Sequence, residues 1–224
     1  MEDRQRPHRD SLAADIRDYW SRYAEAFATP LRGNGLLGTF VSNPAVTGAY
    51  AEAWVHSLAA AMVSNLSIST GAVIRTTDVV QRRDLRRVPQ SDLILWDPSE
   101  MPALFRSGSF ALVHTQAARA IIEIKRTTTD ITALQKQLSR QKLRLLSEYR
   151  RNVMGVVVAH NRPLFGEGLE PDWVAKSRPG DAVRIARLLD RQTSNPDPDG
   201  IFALIYFLSH VARQSKQMPS NERS

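Results

Sequence analysis

ARAIIEIKRTTTDITAL, residues 118–134, changes its hydrophobic period part-way along. Its first eight residues are almost continuously apolar, the pattern of a strand covered on both faces. Thr129 or Asp130 then offers a helix N-cap. Ile131, Leu134, Leu138, Leu145 and Leu146 recur at helical spacing, so a long helix is expected through about Arg151. A second apolar run, NVMGVVVAH (152–160), follows. Strand, helix and strand in that order suggest a parallel crossover. Glu123 and Lys125 interrupt the first strand near its end, and two residues apart they point the same way. A carboxylate and an ammonium in a central strand are costly to bury unless each finds a partner or a metal.

Moving upstream, SDLILWD (91–97) reads as a short apolar strand with Asp92 at its start, and GAVIRTTDVV (71–80) as a β-branched strand. A minor strand is expected at SFALV (109–113). Three strands close in sequence suggest an antiparallel meander joined to the crossover. VTGAYAEAWVHSLAAAMV (46–63) is apolar nearly all round, a helix packed against the sheet. Before it, Asp10 or Ser11 caps an expected helix to about residue 28, with Leu12, Ile16, Tyr19, Trp20 and Tyr23 at helical spacing. Downstream come a loop at 161–179, an expected helix at 180–192, the breaker run SNPDPDG and a last helix over about 201–215. Residues 1–10 and 216–224 read as disordered. With no repeat and no long linker, the expectation is one domain over 11–215 with its core at about 46–160.

The chain carries a net charge of +7 and a pI near 10.1, with lysine only at 125, 136, 142, 176 and 216. Excess positive charge suits a polyanionic partner through counterion release, and equally a plain arginine-rich surface. The absence of cysteine excludes disulfides, thiolate metal sites and cysteine nucleophiles. No apolar run reaches the roughly 20 residues that span a bilayer, and MEDRQRPHRD lacks an apolar signal core, so no membrane and a cytoplasmic location are expected.

Asp92 beside Glu123, with the Ile124 carbonyl, makes a hard, all-oxygen donor set that suits Mg²⁺ better than zinc. A lysine next to it can hold a metal-bound water or offset phosphate charge. The alternative for these residues is a strand-starting aspartate and a cross-strand ion pair at a sheet edge. Gly33-Asn-Gly35-Leu-Leu-Gly38 fits a dinucleotide fingerprint by spacing but follows a helix, so it reads as a loop. The five histidines show no ligand spacing, and Trp20, Trp54, Trp96 and Trp173 fall mostly on apolar faces.

The ordered set resembles the PD-(D/E)xK superfamily of restriction-endonuclease-like nucleases, with Asp92 as the isolated acid and Glu123-Ile124-Lys125 as the E-x-K element. More narrowly, QSDLILWDPSEMPALF followed by ARAIIEIK is similar to an uncharacterised prokaryotic family of nuclease-like domains. Gln90, Asp92, Asp97, Pro102, Leu104, Glu123 and Lys125 match its pattern, and Gly48-Ala-Tyr-Ala-Glu52 matches its upstream G-x-x-x-E helix. The resemblance covers roughly residues 46–160.

It implies an α/β fold with a mixed sheet of about four to five strands, flanked by helices, with extra helices at both ends. It also implies Mg²⁺-dependent hydrolysis of phosphodiester bonds in nucleic acid, DNA first, in restriction or phage defence. Mn²⁺ could replace Mg²⁺, and a homodimer is compatible. Asp92, Glu123 and the Ile124 carbonyl would hold the metal, Lys125 would act in catalysis, and Glu52 would reach the same site. Gln90, Arg82, Arg83, Arg86, Arg87 and Gln135 are candidates for substrate contact, and Gln137 and Gln141 share the helix with Gln135. The alternative on the same scaffold is an inactive nucleic-acid-binding or protein-interaction module.

Overall fold

The computed structural model describes residues 15, 18–19, 21–23, 25–26, 29–31, 44–80, 88–126, 130–146, 152–160, 184–193 and 195–217. Helix α1 (Pro44–Met62) leads into strand β1 (Ser67–Ile74) and the short helix α2 (Thr76–Val80). Strands β2 (Gln90–Trp96), β3 (Phe105–Ser107), β4 (Phe110–His114) and β5 (Ala118–Lys125) follow. Helix α3 (Ile131–Lys142), strands β6 (Val153–His160) and β7 (Arg184–Asp190), and helix α4 (Pro198–Gln217) complete the described chain. The strands form one mixed sheet in the order β3-β4-β1-β2-β5-β6-β7. β2 runs antiparallel to both β1 and β5, while β5, β6 and β7 are mutually parallel. The expected meander and crossover are therefore present, in a sheet of seven strands rather than four to five.

Successive residues of the central strands alternate between two apolar layers. Leu93, Leu95, Ile122 and Val156 pack with Ala51, Val55 and Leu58 of α1 and with Ile201, Leu204 and Leu208 of α4. Ile94, Ile121, Val153 and Val157 pack with Leu134 and Leu138 of α3 on the other face. Gly155 lets α3 sit close on β6: a Cβ there would lie 3.0 Å from the Leu138 Cδ1. Gly71 is needed for a different reason. Its φ is +134° and a Cβ would fall 1.9 Å from the Ala111 carbonyl oxygen, so only glycine lets β1 bulge between β2 and β4.

Three expectations change. Residues 76–80 were expected to continue a strand and form α2, because the Asp78 carboxylate accepts the Arg75 backbone N–H at 3.0 Å and closes a helical start. The expected helix at 180–192 is β7. Residues 185–189 of RIARLLD are all buried, Arg187 among them, and so short a run has no clear period to tell strand from helix. The helix capped by Asp130, which accepts the Ala133 N–H, ends at Lys142 rather than near Arg151. The first glycine loop, the arginines at 82, 83, 86 and 87, and the expected loop at 161–179 lie outside the described residues. Among the described residues no helix is long and apolar enough to cross a membrane.

Asp78, 1% exposed, ties this end of the sheet together. Arg144 donates to it at 2.6 Å and also reaches the Val73 carbonyl, while Arg75 reaches it from the preceding turn. Burial pushes the Asp78 carboxyl up, but these hydrogen bonds more than reverse that and hold it at about 2. A depressed carboxyl stabilises the fold fully above its unfolded value near 3.8 and loses that contribution as pH falls through about 2. The contribution at neutral pH is about 2 kcal/mol. Asp78→Asn should therefore differ most from the native chain near pH 7. The gap in urea midpoint should narrow between about pH 4 and pH 2; a constant gap would exclude this ionisation as the cause.

Candidate functional site

The sheet brings the acids together where β2 begins and β5 ends. Leu93 pairs with Ile122, which sets Asp92 opposite Glu123 one step further along the antiparallel pair. The Asp92 Oδ2 accepts the backbone N–H of Ile124 at 2.7 Å. Lys125 Nζ donates to that same oxygen at 3.4 Å and to Glu123 Oε2 at 3.2 Å. One ammonium thus touches both carboxylates. Glu123 is 1% exposed, Asp92 25% and Lys125 37%, so the cluster opens from a buried floor toward solvent.

Helix α3 closes the floor. Gln137 Nε2 donates to Glu123 Oε2 at 2.7 Å, and Gln141 Nε2 donates to Glu123 Oε1. Gln141 is fully buried, and its amide nitrogen also lies 3.2 Å from Ser91 Oγ and 3.3 Å from the Gln90 carbonyl. It therefore links the strand carrying Asp92 to the carboxylate of Glu123. Four residues apart on one helix face, the two glutamines act on the same group. Gln135, the glutamine favoured from sequence for substrate contact, lies on the exposed side of α3. The signal that separates them was available: positions 134, 137, 138 and 141 form one helical stripe, and Leu134 and Leu138 mark it as the face toward the sheet. Of the other sequence candidates, Gln90 is exposed and contributes its carbonyl to Gln141, and the four arginines fall outside the described residues.

Glu52 approaches from α1. Its carboxyl is raised above the ordinary value, first by lost solvation and then by the negative charge of Asp92, with Lys125 pulling the other way. Glu123 is raised by burial first and by Asp92 next, while Gln141 and Lys125 oppose the shift. Desolvation pulls the Lys125 ammonium down, and Asp92 and Glu123 more than reverse it, so Lys125 remains a cation. Lost solvation is the larger cause at both raised acids, and the charge of Asp92 adds to it.

The donor set fits a hard divalent cation: carboxylate oxygens, a strand-end carbonyl at Ile124, and no sulfur or imidazole. Among the described residues no three His, Cys, Asp or Glu side chains converge tightly enough to cage an ion by themselves. A cation here would draw its remaining ligands from the Ile124 carbonyl and water, as Mg²⁺ commonly does.

No protein-family model and no curated protein matches the chain. Among solved structures it is similar to NucC of E. coli MS115-1 in its cAAA-bound form, with 13% identity and a TM-score of 0.44, over 80% of this chain and 65% of that one. NucC of P. aeruginosa ATCC27853, also cAAA-bound, gives 13% identity and a TM-score of 0.45, over 84% and 70% of the two chains. The apo form of the E. coli protein gives 14% and 0.38, over 80% and 64%. The matched chain thus spans just under two thirds of the E. coli structure's length.

Proposed function

We propose that the protein is a Mg²⁺-dependent nuclease that hydrolyses phosphodiester bonds, with DNA as the expected polymer. The observation that carries this reading is the imbalance of charge at one end of β2 and β5. Asp92, Glu123 and Glu52 share an environment with the single ammonium of Lys125. Retaining surplus negative charge there is unfavourable without a cation. Asp92, Glu123 and the Ile124 carbonyl would hold the ion, and Glu52 would support it from α1. When bound, Mg²⁺ supplies a Lewis acid toward the phosphate and an acidified water.

The chain's own residues orient the reaction. Gln137 and Gln141 fix both oxygens of Glu123, leaving its remaining lone pairs to define direction. The Ile124 N–H does the same for Asp92. Lys125, protonated and a third exposed, is placed to pair with a phosphate oxygen and to offset charge as the bond to the leaving oxygen breaks. The net charge of +7 favours a polyanionic substrate.

Titrating Mg²⁺ or Mn²⁺ into the protein should release or absorb heat at one site, and Asp92→Asn should remove that signal while leaving the circular dichroism spectrum unchanged. The native protein should cut a DNA duplex with Mg²⁺ and stop on chelation. Salt-dependent DNA binding with no heat and no cleavage at either metal would instead identify a non-catalytic nucleic-acid-binding module.

A further inference from the structure

Helix α3 grips the buried acid through Gln137 and Gln141, and its outward side has a composition of its own. The helix, ITALQKQLSRQK, contains Lys136, Arg140 and Lys142 and no carboxylate. Asp130 at its N-cap accepts the Ala133 N–H. Lysine is scarce in this chain, yet positions 125, 136 and 142 all belong to the site strand or to α3. Lys136 and Arg140 are both exposed. Arg140 lies one turn beyond Gln137, and Lys136 one turn before Arg140, so a cationic row begins beside the glutamine that holds Glu123 at 2.7 Å.

The fold itself gains nothing from this row. Like charges four residues apart on a helix repel, whereas a glutamate at either position would attract its neighbour. Arg22, Arg75, Arg119, Arg144 and Arg187 each meet a carboxylate within 3.5 Å. Lys136 and Arg140 form no ion pair among the described residues, and the ammonium that touches the acids is that of Lys125. Glu123 and Lys125 share one strand face, and the glutamines of α3 reach Glu123 on that face. A phosphate held at Lys125 therefore has α3 as its neighbour.

We infer that Lys136 and Arg140 carry the phosphodiester backbone of a nucleic acid across α3, beyond the phosphate that enters the acid cluster. The inference rests on the nuclease reading and sharpens its substrate: a polynucleotide long enough to lie on both surfaces, rather than a single phosphodiester. Each cation that neutralises a phosphate releases condensed counterions, so the contact has a salt signature.

The test is a Lys136→Ala/Arg140→Ala protein beside an Arg106→Ala/Arg213→Ala control that removes the same charge. Arg106 lies on the edge strand β3, and Arg213 on α4, across the sheet from α3. Binding of a short fluorescein-labelled DNA duplex is read by anisotropy over a range of salt, with Ca²⁺ in place of Mg²⁺. The α3 variant should bind about tenfold more weakly, and its plot of log affinity against log salt should flatten by about two. With Mg²⁺, its KM for duplex cleavage should rise about tenfold while kcat stays within about twofold. It should melt no lower than the native protein, because a repelling pair has gone. The control should match the native protein throughout. Native-like binding by the α3 variant, or equal losses in both variants, overturns the inference and leaves the nuclease reading intact. So does a melting temperature lowered by more than about 5 °C, which would give the two side chains a role in the fold. Weakened binding in the α3 variant, with no cleavage by the native protein, keeps the surface and overturns the nuclease reading. A native protein that neither binds nor cleaves the duplex overturns both together.

Discussion

Lys125→Met is expected to lower Mg²⁺-dependent cleavage by about a thousandfold or more while the protein still folds. Methionine keeps most of the stem's volume and removes only the charge, so the loss tests the ammonium itself. In the folded chain that ammonium touches Asp92 and Glu123 together. Removing it leaves Glu123, 1% exposed, with its two glutamine donors but no counter-charge. Breaking a buried pair typically costs about 3–5 kcal/mol, and the lower end applies because the ammonium is 37% exposed and partly screened. Urea unfolding without metal should show that loss. Added Mg²⁺ should then stabilise the variant more than the native protein, since the ion replaces a missing cation. Cleavage at the native rate would remove Lys125 from the mechanism. Equal stabilisation of both proteins by Mg²⁺ would show that the ion binds elsewhere.

How much of this could be read from the chain depended on whether a residue's neighbours were local. Strands β2, β5 and β6 carry long apolar runs, and Asp130 marks the start of α3, so the crossover was legible in the sequence. Glu123 and Lys125 share a face by the two-residue period of a strand, and that inference needed nothing distant. The union of Asp92 with Glu123 depended on strand order, which the short spacing between the strands suggested and the Leu93–Ile122 pair bears out.

Other features depended on long-range partners. Strand β7 was taken for a helix because Ile185, Ala186, Leu188 and Leu189 are all buried, which erases any alternation. Arg187 sits among them only because Asp190 and Asp197 pair with it at 2.9 and 2.7 Å, the latter from just ahead of α4. The run TTDVV is rich in β-branched residues, yet α2 forms there because Asp78 closes the turn on the Arg75 N–H and is itself held by Arg144 from beyond α3. Tertiary contact overrode local preference in both cases. The contact of Gln137 and Gln141 with Glu123 was legible in a different way: the leucine stripe of α3 sets them on the face toward the sheet and Gln135 on the exposed side.

Gln141→Glu should be the most damaging single-atom-scale change at this site, and its damage should depend on pH. The substitution keeps shape and exchanges an amide that donates to Glu123 for a carboxyl that cannot do so when ionised. At zero exposure, two carboxylates in contact cannot both be charged, so one retains its proton in the folded protein. A carboxyl whose folded pKa lies above its unfolded value near 4.3 destabilises the fold only above that unfolded value. The deficit against the native chain is therefore absent below about pH 4, grows as pH rises, and levels off above the folded pKa. Its size at neutral pH should be about 3–5 kcal/mol. Gln141→Leu provides the control: it also removes the donors to Glu123, Ser91 and the Gln90 carbonyl, but introduces no charge. Its deficit should vary far less with pH. The measurement is urea unfolding of the three proteins at about pH 4 and pH 8, with the denaturant slope checked for constancy. Asp78 contributes equally to all three and cancels. A pH-independent deficit in Gln141→Glu would mean that the new side chain turns away from Glu123 and that α3 does not hold the acid as the structure shows. A deficit that appears at pH 8 and is relieved by Mg²⁺ more than in Gln141→Leu would place a cation within reach of the same buried oxygens.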